Sequence, residues 1–407
     1  MKQTIAEQQT APNGVPSLDL DPFSDDFLRN PYAGHEAMRE AGPVVWLSRY
    51  RVFAVARFQE VSDVLANHES FVSSRGVGLS DFAKEKPWRQ PSLLLEADPP
   101  EHTEARHVVT KILNPKLLRT LKEDFQARAD AIVAEVASRG EIDGVHDLAE
   151  RYPLEVFPDW VGLSAQGREN LLPYGSMVFN TFGPINHLYE KALERGSAAT
   201  GWIMEQCTPG VPDPSGFGAK IHQMAAEAGY NEEDQARLLR SFLSAGVDTT
   251  VHGIGSALHA LASNPEQFEL LKADPSLARA TFEETVRHAS PVQTFFRTTN
   301  KNTVVSGTNI PEGSKVLMFL AAANRDPRQW DRADEFDITR RAGGHVGFGF
   351  GVHACLGQML ARLEGECVLN AVARLVDRIE LNGTPEIQLN NTLRGLDSLP
   401  LRLVSAA

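Results

Sequence analysis

His345-Val346-Gly347-Phe348-Gly349-Phe350-Gly351-Val352-His353-Ala354-Cys355-Leu356-Gly357 is the stretch on which the reading of this chain turns. Glycines at the alternate positions 347, 349 and 351 argue against a regular strand. They favour a tightly bent loop with something packed close to its backbone. An amphipathic pattern follows and predicts a helix from about Gln358 to Val376. Cys355 therefore stands at a helix N-terminus, where the dipole and unpaired N–H groups favour thiolate over thiol. A thiolate there is a nucleophile or a metal ligand. The other two cysteines, Cys207 and Cys367, have no such setting and read as small buried residues.

Three functions compete for the loop. Gly349 to Ala354 fits the dinucleotide fingerprint G-x-G-x-x-G/A, with Asp377 about twenty residues further on. The fingerprint needs a buried strand before it, and Thr339 to Gly344 is charged and glycine-rich instead. His345, His353 and Cys355 could contribute to a zinc or copper site, but no second nearby cysteine or paired-histidine spacing completes it. The third reading makes Cys355 the axial thiolate of a haem iron.

Upstream, Asn231 caps a helix whose first turn is acidic (Glu232, Glu233, Asp234). Apolar residues recur from Leu238 to Leu258, and Asn264-Pro265 ends the run. The pattern predicts one helix of about 45 Å, long enough to cross a domain. Its middle, Ala245-Gly246-Val247-Asp248-Thr249-Thr250, places glycine, acid and hydroxyls where a buried helix wants apolar side chains. Local conflicts of this kind mark functional sites. Asp274-Pro275 announces a second helix to about Ala289, on which Glu284 and Arg287 share a face. Val44–Leu47 and Val52–Val55 read as a β-hairpin, and Thr208–Gly218 as a surface loop.

The 407 residues carry 40 basic and 53 acidic side chains, a net charge of −13, which disfavours nucleic acid as a partner. With 42% hydrophobic residues the composition is that of a globular protein with a large core. Three scattered cysteines do not make a disulfide scaffold. The opening residues lack a signal peptide's apolar stretch, and the longest apolar run, Val316–Ala323, falls short of the roughly 20 residues that span a bilayer. The expectation is a soluble, cytoplasmic protein with a disordered lead-in over residues 1–19.

Phe348, Gly351, His353, Cys355 and Gly357 together satisfy F-x-x-G-x-H-x-C-x-G, which resembles the haem-binding loop of the cytochromes P-450. In that family's order, Ala245–Thr250 resembles the oxygen-activating helix, Glu284 and Arg287 its E-x-x-R pair, and Asn324–Pro327 with Phe336–Arg340 the stretch before the haem loop. The resemblance implies a mostly α fold with a small β region over residues 20–407, one domain with a long central helix crossing the haem. It implies haem b on Cys355, with Phe348, Gly349 and Gly357 around it and His102, Arg106, Arg297 and His345 holding the propionates. It makes Glu284–Arg287 a structural lock with Arg340. Asp248 and Thr249 become the acid–alcohol pair that manages protons during O2 activation. Electrons from NAD(P)H would arrive through a ferredoxin reductase and an iron–sulfur ferredoxin. A docking patch for it is expected on one helix carrying Arg106, Lys111, Lys116, Arg119 and Lys122.

A narrower resemblance covers Lys86–Leu95, Val178–Pro184 and Ser290–Arg297. These stretches are similar to the bacterial subgroup that oxidises para-substituted benzoates. By that resemblance Arg89, Ser92, Ser241 and Ser244 surround a substrate carboxylate, with Arg240 behind them. Leu94, Leu95, Phe179, Phe182, Val247, Val292 and Phe295 would form the slot for the ring, with the size of residue 247 tuning it. The reaction implied is O-demethylation of 4-methoxybenzoate and hydroxylation of 4-alkylbenzoates. The competing readings are a hydroxylase of a neutral terpene or fatty acid, and a non-catalytic haem sensor or carrier.

Overall fold

The glycine-rich loop and its helix are both present, the helix running Gln358–Leu375. The computed structural model describes residues 11–406. Most of the chain is helical. The helix Gln358–Leu375 lies against the long helix Pro115–Arg139 and against Ala278–Ala289, which in turn touches Asp248–Ser263. One apolar core links all four, from Val133 and Val136 through Ile254 and Leu258 to Phe282, Val368 and Val372.

The predicted hairpin forms as Val45–Leu47 and Val52–Val55, paired antiparallel. It belongs to a six-stranded mixed sheet in the order 17–18, 45–47, 52–55, 315–319, 294–299, 71–72. Ser17–Leu18 therefore correct the lead-in: they pair in parallel with Trp46 and Leu47, because Trp46 N–H donates to Pro16 and Ser48 N–H to Leu18. Residues 1–10 of that stretch lie outside the described residues. The apolar run Val316–Ala323 is split between the central strand Lys315–Phe319 and the short helix Leu320–Asn324.

Two helices differ from expectation. The run after Asn231 is capped as foreseen, its side chain accepting from Asp234 N–H at 2.9 Å. It then divides into Glu232–Ala245 and Asp248–Ser263. Gly246 lies under Phe157, where a Cβ would come within 2.6 Å of the ring. The Thr249 hydroxyl donates to the Ala245 carbonyl at 3.0 Å, satisfying by side chain an acceptor at the break. The proposed basic helix is likewise two, Glu101–Ile112 and Pro115–Arg139. Asn114 ends one and caps the other, accepting from Lys116 and Leu117 N–H.

Behind the loop sits the Glu284–Arg287 lock. Both side chains are fully buried, Arg287 Nε and Nη2 donate to the two Glu284 oxygens at 2.7 Å, and Arg340 Nε joins at 3.2 Å. Arg287 also donates to the carbonyls of Asn324, Ala333 and Glu335. It thereby ties the helix Ala278–Ala289 to the chain that leads into the loop.

Candidate active site

Gly349 and Gly351 both take φ of +70°, which a side chain disfavours, and a Cβ at Gly351 would stand 2.9 Å from the Leu65 carbonyl. These turns bring Cys355 N–H to the Phe348 carbonyl at 2.8 Å and present its thiol to an internal cavity. Protein surrounds Cys355, yet the residue keeps accessible surface, because that surface faces the cavity. Burial pushes its thiol above the ordinary range, while the N–H groups of Gly357 and Gln358 and the charges of Arg106 and Arg362 pull the other way. Burial thus opposes the helix N-terminus at this thiol. A bound metal would favour the thiolate, since it deprotonates the thiol that coordinates it.

The cavity holds about 1700 Å³ of non-atom space, counting open solvent at its mouth. Its wall near the loop presents Phe348, Gly349 and Gly357, as foreseen, and also Arg106, Arg297 and His353. Arg297 is 3% exposed, and among the described residues its guanidinium donates only to its neighbour's carbonyl, Phe296 O. Burial lowers it to about 10. His102 is buried and its ring lies 4.2 Å from that of His353. Among the described residues none of their ring nitrogens makes a hydrogen bond of good geometry, although His353 approaches the Leu94 backbone. Burial, reinforced by nearby arginines, lowers His102 to about 4 and His353 to about 3, so both are neutral N–H donors at pH 7. A thiol, two arginines and the His353 imidazole around one cavity, with the His102 ring packed 4.2 Å from that of His353, fit haem: one axial ligand and enough donors for two buried propionates.

His345 is not among the residues that line this cavity. Its Nδ1 accepts from Gly347 N–H at 3.0 Å and its Nε2 lies 3.3 Å from Glu283. Burial raises Glu283, but bonds from Arg362 and His345 bring it down to about 2. Arg362 also stacks on Phe348, so this cluster braces the loop from behind. His353 stands where His345 was expected. Among the described residues no group of three His, Cys, Asp or Glu could hold a metal ion.

Thr249 lines the cavity, while Asp248 lies behind it, 7% exposed, against Gly175 of the helix Leu171–Asn180. A Cβ at Gly175 would reach within 2.9 Å of the Asp248 carboxylate, so only glycine leaves the acid its place. Burial, with a smaller push from Glu150, raises Asp248 well above the usual carboxylate range and so favours its protonated form. Glu364 also borders the cavity, fully buried with neither oxygen hydrogen-bonded among the described residues, and burial raises it likewise. Nothing in the sequence pattern singles out Gly175 or Glu364, and His353 enters it only as part of the loop motif and as a candidate metal ligand.

Every residue expected around the substrate lines the same cavity except Val247. Ala245 and Thr249, one helical turn apart, face it, and Val247 between them points into the core at 1% exposure. Arg240 is 6% exposed and donates to Gln90 O at 2.6 Å. Ser92 and Ser241 hydroxyls meet at 2.8 Å, and Ser244 donates to Ser241 O. Phe179, Phe182 and Phe295 form a contiguous aromatic wall, with ring centroids 5.7 and 5.9 Å apart.

The chain is 55% identical over 394 residues to cytochrome p450 CYP199A2 of Rhodopseudomonas palustris, covering 97% of this chain and 96% of that protein. It belongs to the cytochrome P450 family. The family model, Cytochrome P450, matches residues 217–374, which span the broken central helix, the Glu284–Arg287 lock and the Cys355 loop. The vitamin D(3) 25-hydroxylase of Pseudonocardia autotrophica is 30% identical over 408 residues, covering 96% of this chain and 97% of its own. Among solved structures, cytochrome P450 CYP109Q5 from Chondromyces apiculatus superposes with a TM-score of 0.79 at 27% identity, over 95% of this chain and 98% of that one. This P450 is thus a monooxygenase that uses haem with a cysteine thiolate. No helix among the described residues is long and apolar enough to cross a membrane.

Proposed function

We propose that this P450 inserts one oxygen atom of O2 into para-substituted benzoic acids. It O-demethylates 4-methoxybenzoate and hydroxylates 4-alkylbenzoates. The observation that carries this reading is Arg240, a buried guanidinium with no carboxylate partner among the described residues, set beside three serines in an aromatic-walled cavity. A buried charge wants a partner, and a substrate carboxylate supplies one. A neutral terpene would leave Arg240 uncompensated, and a flexible fatty acyl chain would leave the flat aromatic wall of Phe179, Phe182 and Phe295 without a ring to hold.

Cys355 is the residue that would hold the haem iron, and Arg106, Arg297, His102 and His353 its propionates. Bound haem supplies the reductive activation of O2 and the removal of hydrogen from a substrate carbon. The chain's own residues do the rest. Arg240, Arg89 and the serines fix the acid group, and Phe179, Phe182 and Phe295 hold the ring, so that the para substituent is the part offered to the Cys355 side. Thr249, its hydroxyl hydrogen engaged by Ala245 O, presents lone pairs to the cavity, and Asp248, whose acid form burial favours, is a proton source one residue away. A sensor or carrier would have no use for that pair. The balance is 4-methoxybenzoate, O2, NAD(P)H and H⁺ giving 4-hydroxybenzoate, formaldehyde, NAD(P)⁺ and water.

The electrons are proposed to come from an acidic ferredoxin. Of the five cations expected to dock it, Arg106 faces the cavity and Lys122 is paired with Glu366 at 2.8 Å. Exposed Lys111, Lys116 and Arg119 are left to attract it, and Phe350 and Met359, exposed beside the Cys355 loop, offer an apolar contact. Turnover with a ferredoxin and its reductase tests the function: 4-methoxybenzoate should yield equimolar 4-hydroxybenzoate and formaldehyde, and its meta isomer little of either. Equal turnover of the two isomers contradicts the proposal.

A further inference from the structure

Arg89 and Arg240 donate to the same acceptor, the carbonyl of Gln90, at 2.9 and 2.6 Å. Two guanidinium groups so close repel each other, and Glu96 answers one of them. Its Oε2 accepts from Arg89 Nη1 at 2.9 Å and from Ser92 N–H at 2.7 Å. The side chains of Glu96 and Arg89 are only 3% and 12% exposed, so solvent screens this pair little. Glu233, which accepts from Gln90 Nε2, is exposed and screened by solvent, and the other buried groups facing the corner add no net charge. Arg237 is bound to Asp234 at 2.6 Å. Burial raises Tyr174, from the helix Leu171–Asn180, and pushes the Cys207 thiol up to about 12, leaving both neutral. Two arginines and one glutamate thus leave a single surplus positive charge beside Ser92, Ser241 and Ser244.

We propose that Glu96 sets the charge this site accepts: by neutralising Arg89 it selects an aryl monoanion over an aryl dianion of the same shape. The inference rests on the reading that this corner takes the substrate's acid group. Glu96 is a positioning residue in this scheme. It acts through Arg89, holding that guanidinium in place while cancelling its charge, and leaves Arg240 as the uncompensated cation. Without Glu96 the corner would carry two positive charges and suit a dianion.

The test is calorimetric binding to the haem-loaded protein of two tetrahedral probes, 4-methoxybenzenesulfonate and 4-methoxyphenylphosphonate. They match in shape, but the phosphonate takes a second negative charge near neutral pH. The parent should favour the sulfonate increasingly as that ionisation proceeds, by about tenfold once it is complete, a step of about 1.4 kcal/mol. Glu96→Gln keeps an oxygen for Ser92 N–H and should move the ratio about tenfold towards the phosphonate dianion. The double variant Arg89→Gln, Glu96→Gln again leaves Arg240 alone and should return the ratio to the parent's. A purely structural role for Glu96 would not produce that return. A parent ratio that stays flat with pH overturns the proposal without any variant. So does a Glu96→Gln ratio within about twofold of the parent's, well below the tenfold step, or a double variant that keeps the single variant's ratio. If the parent binds 4-methoxybenzoate no better than 4-methoxybenzamide, the acid-binding reading itself falls, an outcome separate from these.

Discussion

Replacing Arg287 by alanine should abolish folding, and the structure shows how much is at stake. The guanidinium makes five hydrogen bonds with no exposed surface: two to Glu284, and one each to the carbonyls of Asn324, Ala333 and Glu335. Breaking a buried pair by removing one partner costs about 3–5 kcal/mol. Each abandoned carbonyl adds about 1–3 kcal/mol, less where water can enter the space. Together the loss is about 6–14 kcal/mol against a total stability of about 5–15 kcal/mol for a folded chain. Arg287→Lys keeps the charge but not the planar five-donor fork, and should cost about half as much. Arg340→Ala should cost about 1–3 kcal/mol, since it removes one bond to Glu284 and others at the protein surface. Urea unfolding followed by circular dichroism, with haem content measured in parallel, orders the three. An Arg287→Ala protein that retains haem and unfolds at the parent's midpoint would refute the lock.

Three further substitutions test the cavity and the core. Thr249→Ala should bind substrate and consume NAD(P)H as the parent does but release hydrogen peroxide in place of product, and a parent-like yield removes Thr249 from proton management. Asp248→Asn should slow turnover without weakening binding, because the buried proton source is lost; unchanged turnover excludes it. His252, packed against Gly395 with Nδ1 unpaired, is held by burial at about 4 against an unfolded value of 6.5. The folded state carries it neutral, so its contribution is complete above pH 6.5 and is lost as pH falls, by about 1.4 kcal/mol per unit down to about pH 4. Stability curves of the parent and His252→Gln should therefore converge on acidification, and parallel curves would show that His252 does not titrate in the fold.

The Cys355 loop was legible because its signals are local: alternating glycines, a cysteine and a following amphipathic run. The Glu284–Arg287 pair was legible for the same reason, although nothing nearby in sequence told that Asn324, Ala333 and Glu335 would close it off from solvent. The break at Gly246–Val247 was hidden, because the apolar period runs through it and its partner Phe157 lies some ninety positions earlier. That one shift also misplaced Val247 as a wall of the slot. His345 and His353 both belong to the loop, and the left-handed turns at Gly349 and Gly351 lie between them. Only with those turns in place does one imidazole face the cavity and the other face Glu283. Glu96 carried no pattern at all, since its meaning comes from Arg89 across a short turn and from Arg240 on a distant helix.

The central claim is that this P450 recognises an aryl carboxylate, and the most direct measurement compares 4-methoxybenzoate with 4-methoxybenzamide by the change in iron spin state that each induces. A carboxylate entering the corner replaces lost hydration with charge-assisted bonds to Arg240, Arg89 and the serines, each worth about 1.5–3 kcal/mol. The amide matches it in size and shape but brings no charge. The acid should bind about 10- to 100-fold more tightly in the parent, and Arg240→Ala should erase most of that difference. Equal affinity for acid and amide in the parent protein would contradict the account and point to a hydroxylase of neutral substrates.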